Sequence, residues 1–168
     1  MSTQRKSKVP ALTFFVCIAL QVIEIIIFSA RFGTPMHMLT VRSLMCTIIF
    51  PAILGLICFA NSRSKLLPPL YLAYALCILF LGGVFRHFSL FDTSLYLALI
   101  YICLFVATFL GRKNSSLAGI IKLLIFVLAV AVLVFAVIRI RYMFLDYIKP
   151  AYLCNVLLAL NALALSKK

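Results

Sequence analysis

The sequence predicts an all-α, polytopic transmembrane helical bundle of six spans, paired into three hairpins with both termini in the cytoplasm. Three observations carry that reading. Of the 168 residues, 66% are hydrophobic, and the mean hydropathy is +1.23, more than a water-excluded core of this size absorbs. Apolar stretches near 20 residues, the length a helix needs to cross a bilayer of about 30 Å, recur along the whole chain. Charge gathers at their ends: 16 Lys+Arg stand against 3 Asp+Glu, and the acids are Glu24, Asp92 and Asp146.

The chain reads as a single transmembrane domain over residues 1–168. The first span is expected at Pro10–Ala30 and follows a basic segment, Met1–Lys8. That order resembles a signal peptide, but the run of about 20 apolar residues exceeds a cleaved h-region and suits an uncleaved anchor. The second span is expected at Met38–Ala60, the third at Leu67–Val84 and the fourth at Thr93–Leu110. The fifth is expected at Leu117–Ile138 and the sixth at Tyr147–Leu165. Pro10, Pro68, Pro69 and Pro150 each fall in a first helical turn, where the missing N–H has no partner to lose. The links Asn61–Leu66 and Gly111–Ser116 are short and polar, so they join antiparallel neighbours.

Orientation follows from the basic residues. With the N-terminus inside, the inner segments hold Arg5, Lys6, Lys8, Arg63, Lys65, Arg112, Lys113, Lys122, Lys167 and Lys168. The outer segments hold Arg31, Arg42, Arg86, Arg139, Arg141 and Lys149. The excess lies on the cytoplasmic side, as the positive-inside rule requires. The location expected is the cell (plasma or inner) membrane. Scattered in twos and threes beside apolar runs, these residues suit lipid headgroups, possible anionic lipids included, and do not form the stripe that nucleic acid needs.

A loose repeat relates Arg86-His-Phe-Ser-Leu-Phe-Asp92 to Arg141-Tyr-Met-Phe-Leu-Asp146, each leading into a helix with an early tyrosine, Tyr96 or Tyr152. The spacing of one hairpin fits parallel duplication, since a hairpin returns the chain to its starting side.

Glu24 is the sharpest single residue. It stands about six residues, or roughly 9 Å, inside the outer end of the first span. A carboxylate at that depth faces a partner or a water-filled cavity. Thr13, Cys17, Gln21 and Glu24 share one helix face, and that stripe is expected to point into the bundle. Gln21, Glu24 and Arg42 form the candidate intramembrane polar site, with a Glu24–Arg42 or Glu24–Arg31 ion pair as the structural alternative. In the second span Ser43, Thr47, Pro51 and Gly55 repeat at steps of four, which suits close helix approach. Pro51 withholds the N–H that would bond the Thr47 carbonyl, so a kink or hinge is expected there. In the sixth span Ala151, Asn155, Ala159 and Ala162 make a small-residue face, with Asn155 expected to bond across a helix interface and Asn161 off the stripe.

At the outer side, Arg31, Arg86, His87, Arg139 and Arg141 form a candidate anion site, because the guanidinium fork matches a phosphate such as a lipid headgroup or a polyprenyl-phosphate carrier. The alternative is that each arginine pairs with a local acid or snorkels to the interface beside Tyr142 and Tyr147. Six cysteines, Cys17, Cys46, Cys58, Cys77, Cys103 and Cys154, lie in apolar runs with no C-x-x-C pair, so they read as small apolar residues and not as metal or redox ligands. His37 and His87 have no carboxylate at ligand spacing. No metal, cofactor or catalytic motif is present in the sequence.

Three functions of different classes follow. The first is a non-enzymatic subunit or scaffold of a larger membrane complex, partnered by another membrane protein or a second copy of itself. The second is a small transporter, channel or lipid-handling protein that uses Glu24 and the outer basic cluster. The third and weakest is an enzyme working through His87 with Asp92 or Arg86 at the outer interface.

Overall fold

The computed structural model describes residues 8–32, 44–60, 64–81, 93–110, 115–142 and 150–166. Among the described residues every regular element is helical: α1 (Val9–Phe32), a π turn (Met45–Ile49), α2 (Phe50–Ala60), α3 (Leu67–Leu81), α4 (Thr93–Leu110), α5 (Ser115–Tyr142) and α6 (Pro150–Ser166). The prolines open helices as expected. Pro10 stands second in α1, Pro68 and Pro69 in the first turn of α3, and Pro150 first in α6.

Two of the six helices are long and apolar enough to cross a membrane, within Val9–Ile27 and Leu117–Ile138. At 1.5 Å per residue the 24 residues of α1 and the 28 of α5 run about 36 and 42 Å. The apolar helices Met45–Ala60, Leu67–Leu81, Thr93–Phe109 and Tyr152–Ser166 are shorter. Of the six spans expected near 20 residues each, two are thus matched by helices with the length and composition to cross a membrane, and the other four helices, as described, fall below that length. Residues 38–43, 82–84 and 147–149, which the expected spans include, lie outside the described residues.

At Pro51, where a kink or hinge is expected, the structure shows an irregular turn. The turn ahead of the proline widens into a π turn, in which the Phe50 N–H donates to the Met45 carbonyl, five residues back. The chain then resumes as α-helix through the proline itself. An inserted residue of this kind lets the ladder pass a position with no donor, a common origin of helix irregularity.

Cross-helix contacts fix relative direction. Lys8 sits 4.6 Å from the Phe59 ring, joining the start of α1 to the end of α2. Phe50 stacks on Tyr74 at 5.9 Å, pairing the start of α2 with the middle of α3. Tyr96 stacks on Phe135 at 5.1 Å, pairing the start of α4 with the end of α5. Asn161 reaches Pro10, pairing the end of α6 with the start of α1. Cys46 ahead of α2 meets Cys77 late in α3, and Asn155 early in α6 meets Thr93 at the start of α4, so successive helices alternate in direction and α6 closes against α1.

One buried cluster runs through all six helices. Phe14, Leu54, Tyr74, Ile100, Tyr101, Leu104, Ile125 and Val132 are its largest fully buried apolar side chains. Tyr101 packs edge-on to Tyr74 at 4.8 Å and tilted to Tyr71 at 6.0 Å, the offset geometry that aromatic quadrupoles favour. At Gly55 an added Cβ would lie 3.1 Å from the Cβ of Phe14 and 3.3 Å from the ring of Phe15. The absence of a side chain is what lets α1 and α2 approach there.

Candidate functional site

The polar stripe of α1 lies against α6 and α2. Cys17 is buried, and Glu24 is only 8% exposed; Gln21 is half-buried. The expectation that this face turns inward holds for these three residues. Thr13 instead satisfies its hydroxyl on its own helix, donating to the Val9 carbonyl at 3.0 Å. Glu24 is engaged by its surroundings and is not an isolated charge.

The α1–α6 seam is fastened at two levels. Cys17 donates to the Cys154 carbonyl at 3.8 Å, and Cys154 donates back to the Cys17 carbonyl at 3.6 Å. Two turns further along, Asn161 donates through Nδ2 to the Pro10 carbonyl at 3.1 Å. The position sums agree (17 with 154, 10 with 161), so a single antiparallel register serves both contacts. Asn161 falls outside the stripe singled out in the sequence. It shares a face with Cys154, Leu158 and Leu165, at offsets of four, three and four, and that periodicity is the signal that marks it.

An adjoining face of α6, one residue or about 100° round the helix, meets α4. Asn155 donates to the Thr93 hydroxyl at 2.9 Å, the cross-helix bond expected of it, and Ala159 and Ala162 are buried beside it in sequence. Thr93 itself is buried. Bonds of this kind average about 0.6 kcal/mol in a membrane bundle, because the separated helices find other partners. Two buried polar atoms among the described residues have no hydrogen-bond partner, the Tyr101 hydroxyl and Oδ1 of Asn161.

The remaining candidates divide by position. Pro51 is buried at the head of α2 behind the π turn. Arg42, Arg86 and His87 lie outside the described residues, and so do His37, Asp92 and Asp146. Arg31, Arg139 and Arg141 are helical, near the ends of α1 and α5, and only their backbone is described. The Glu24–Arg42 pair and the outer basic cluster are therefore not observed contacts. The repeat around Arg86 and Arg141 likewise falls largely outside the described residues. Among the described residues no group of three His, Cys, Asp or Glu side chains is placed to hold a metal ion.

The cysteines hold more cross-helix contacts than their apolar surroundings suggest. Beyond the Cys17–Cys154 exchange, Cys46 at the π turn lies with its sulfur 3.2 Å from that of Cys77 on α3. None of the six cysteines is joined in a disulfide.

Comparison with known proteins gives no relative from which a role can be read: no family model, no curated protein and no solved structure matches this chain.

Proposed function

We propose that this chain is an integral membrane protein whose six helices all cross the bilayer, with both termini cytoplasmic, and that it serves as a non-enzymatic subunit or scaffold of a larger membrane complex. One observation carries the reading: the interior polar side chains join helix to helix. Asn155 holds Thr93, Asn161 holds Pro10, and Cys17 and Cys154 hold each other's backbone. Polar groups committed to such links fix an arrangement of helices and leave little for moving or transforming a substrate.

The outer faces support membrane embedding. Only 28% of the Leu117–Ile138 window of α5 is buried, whereas the core helix of a water-soluble protein is mostly buried. Ile120, Leu123, Phe126, Val127 and Val137 all stand exposed on α5, a surface that lipid or another apolar helix solvates and water does not. The window in α1 also has the composition of a signal sequence, but α1 places Phe14 and Cys17 in the core against α2 and α6, the role of a permanent span. The four shorter helices reach across where the bilayer thins locally.

A second reading rests on Glu24. A carboxylate 8% exposed beside Gln21 suits transport or lipid handling, with Arg31, Arg86, His87, Arg139 and Arg141 receiving an anionic, phosphate-bearing lipid. Purification in mild detergent separates the two. The scaffold reading expects co-purification with another membrane protein or a second copy; a lone, stable monomer counts against it. The second reading expects Glu24→Gln to abolish substrate or lipid movement in liposomes, and unchanged movement removes Glu24 from any such mechanism.

A further inference from the structure

Cys46 and Cys77 face one another across the α2–α3 hairpin. Their sulfurs are 3.2 Å apart, and the Cys46 thiol also lies 3.5 Å from the Cys77 carbonyl. A disulfide bond measures about 2.05 Å, so closure requires the sulfurs to approach by roughly 1.2 Å. The register that brings them together is set independently: one turn nearer the link, Phe50 and Tyr74 stack at 5.9 Å with ring planes 25° apart. The two thiols also differ in access. Cys46 is half-buried at the π turn, while Cys77 is buried on α3.

We propose that Cys46 and Cys77 form a redox-active dithiol site, closed by exchange with a small apolar disulfide into a cross-helix bond that fastens the π turn to α3. The exchange balances without any other reagent. The Cys46 thiolate attacks one sulfur of the incoming disulfide, forming a mixed disulfide and expelling one thiolate. The Cys77 thiolate then attacks the Cys46 sulfur, forming the Cys46–Cys77 bond and expelling the second thiolate. The two protons shed by the cysteines are taken up by the two departing thiolates. The protein dithiol is oxidised by two electrons, and the small disulfide is reduced to two thiols. Access makes Cys46 the attacking residue and Cys77 the resolving one. An apolar oxidant is required because both sulfurs lie among apolar helices.

The full-length protein in mild detergent, treated with 4,4′-dipyridyl disulfide and digested without reductant, tests this. The expected product is a peptide pair joined through Cys46 and Cys77 that separates on adding dithiothreitol, with two thiopyridones released for each bond closed. Cys77→Ala should reduce the joined product to background and leave a stable thiopyridyl adduct on Cys46; Cys103→Ala should leave the joined product unchanged. Wild-type protein carrying separate adducts on Cys46 and Cys77 with no joined peptide would overturn the proposal. So would a thiol pair that stays unreacted while Cys103 is fully modified. Both contrary results are read on wild-type protein, so a variant that fails to fold does not affect them.

Discussion

Individual polar side chains in this bundle act as fasteners between helices, and their size sets what their removal costs. The Asn155–Thr93 bond at 2.9 Å joins α6 to α4 at the same end of the molecule. A double-mutant cycle with Asn155→Ala and Thr93→Val, read by denaturation in detergent, should return a coupling of about 0.6 kcal/mol and not above about 1.7 kcal/mol. Tyr101 behaves oppositely. Its ring is fully buried between Tyr71 and Tyr74, yet its hydroxyl has no hydrogen-bond partner. Tyr101→Phe keeps the packing and removes the unpaired group, so it should be neutral or stabilising by up to about 1 kcal/mol in the same assay. Tyr101→Ala deletes the ring and should cost about 3–5 kcal/mol.

At the scale of elements, helix approach and helix irregularity are set by single residues. Gly55→Leu places a branched side chain where even a Cβ lies 3.1 Å from the Cβ of Phe14. Forcing α1 and α2 apart should cost about 1–3 kcal/mol. Gly119 on α5 has nothing within 4 Å of an added Cβ, so Gly119→Ala should stabilise by up to about 1 kcal/mol through helix propensity alone. Thermal unfolding of the two variants side by side checks both signs. Helix starts were legible in the sequence because proline, short polar links and apolar run length act locally: Pro10, Pro68 and Pro150 mark the starts of α1, α3 and α6 as read. Asn155 was legible because an amide on an alanine face has few alternatives to a neighbouring helix. The π turn was not, since a proline requires an irregularity but does not choose between a kink and an inserted residue. Asn161 with Pro10 and Cys46 with Cys77 were hidden for another reason. They depend on the register between helices, which is set by the packing of Phe14, Tyr74 and Tyr101, and no periodicity within one helix specifies it. Of the candidate site, Gln21 and Glu24 stand on the inward face as read. Their expected partner Arg42 and the outer residues Arg86 and His87 lie outside the described residues.

For the molecule as a whole, the central claim is that six alternating helices cross one bilayer. Its support is the union of an interior sewn by cross-helix contacts and an exterior lined with exposed leucine, isoleucine, valine and phenylalanine. The most direct test places single cysteines in a chain otherwise free of them and labels intact cells with a membrane-impermeant maleimide. Thr34→Cys and Ser89→Cys should label from outside, whereas Ser64→Cys and Ser115→Cys should label only after the membrane is opened. A chain that crossed with α1 and α5 alone would hold residues 64 and 89 on the same side, and equal labelling of those two positions would contradict the account.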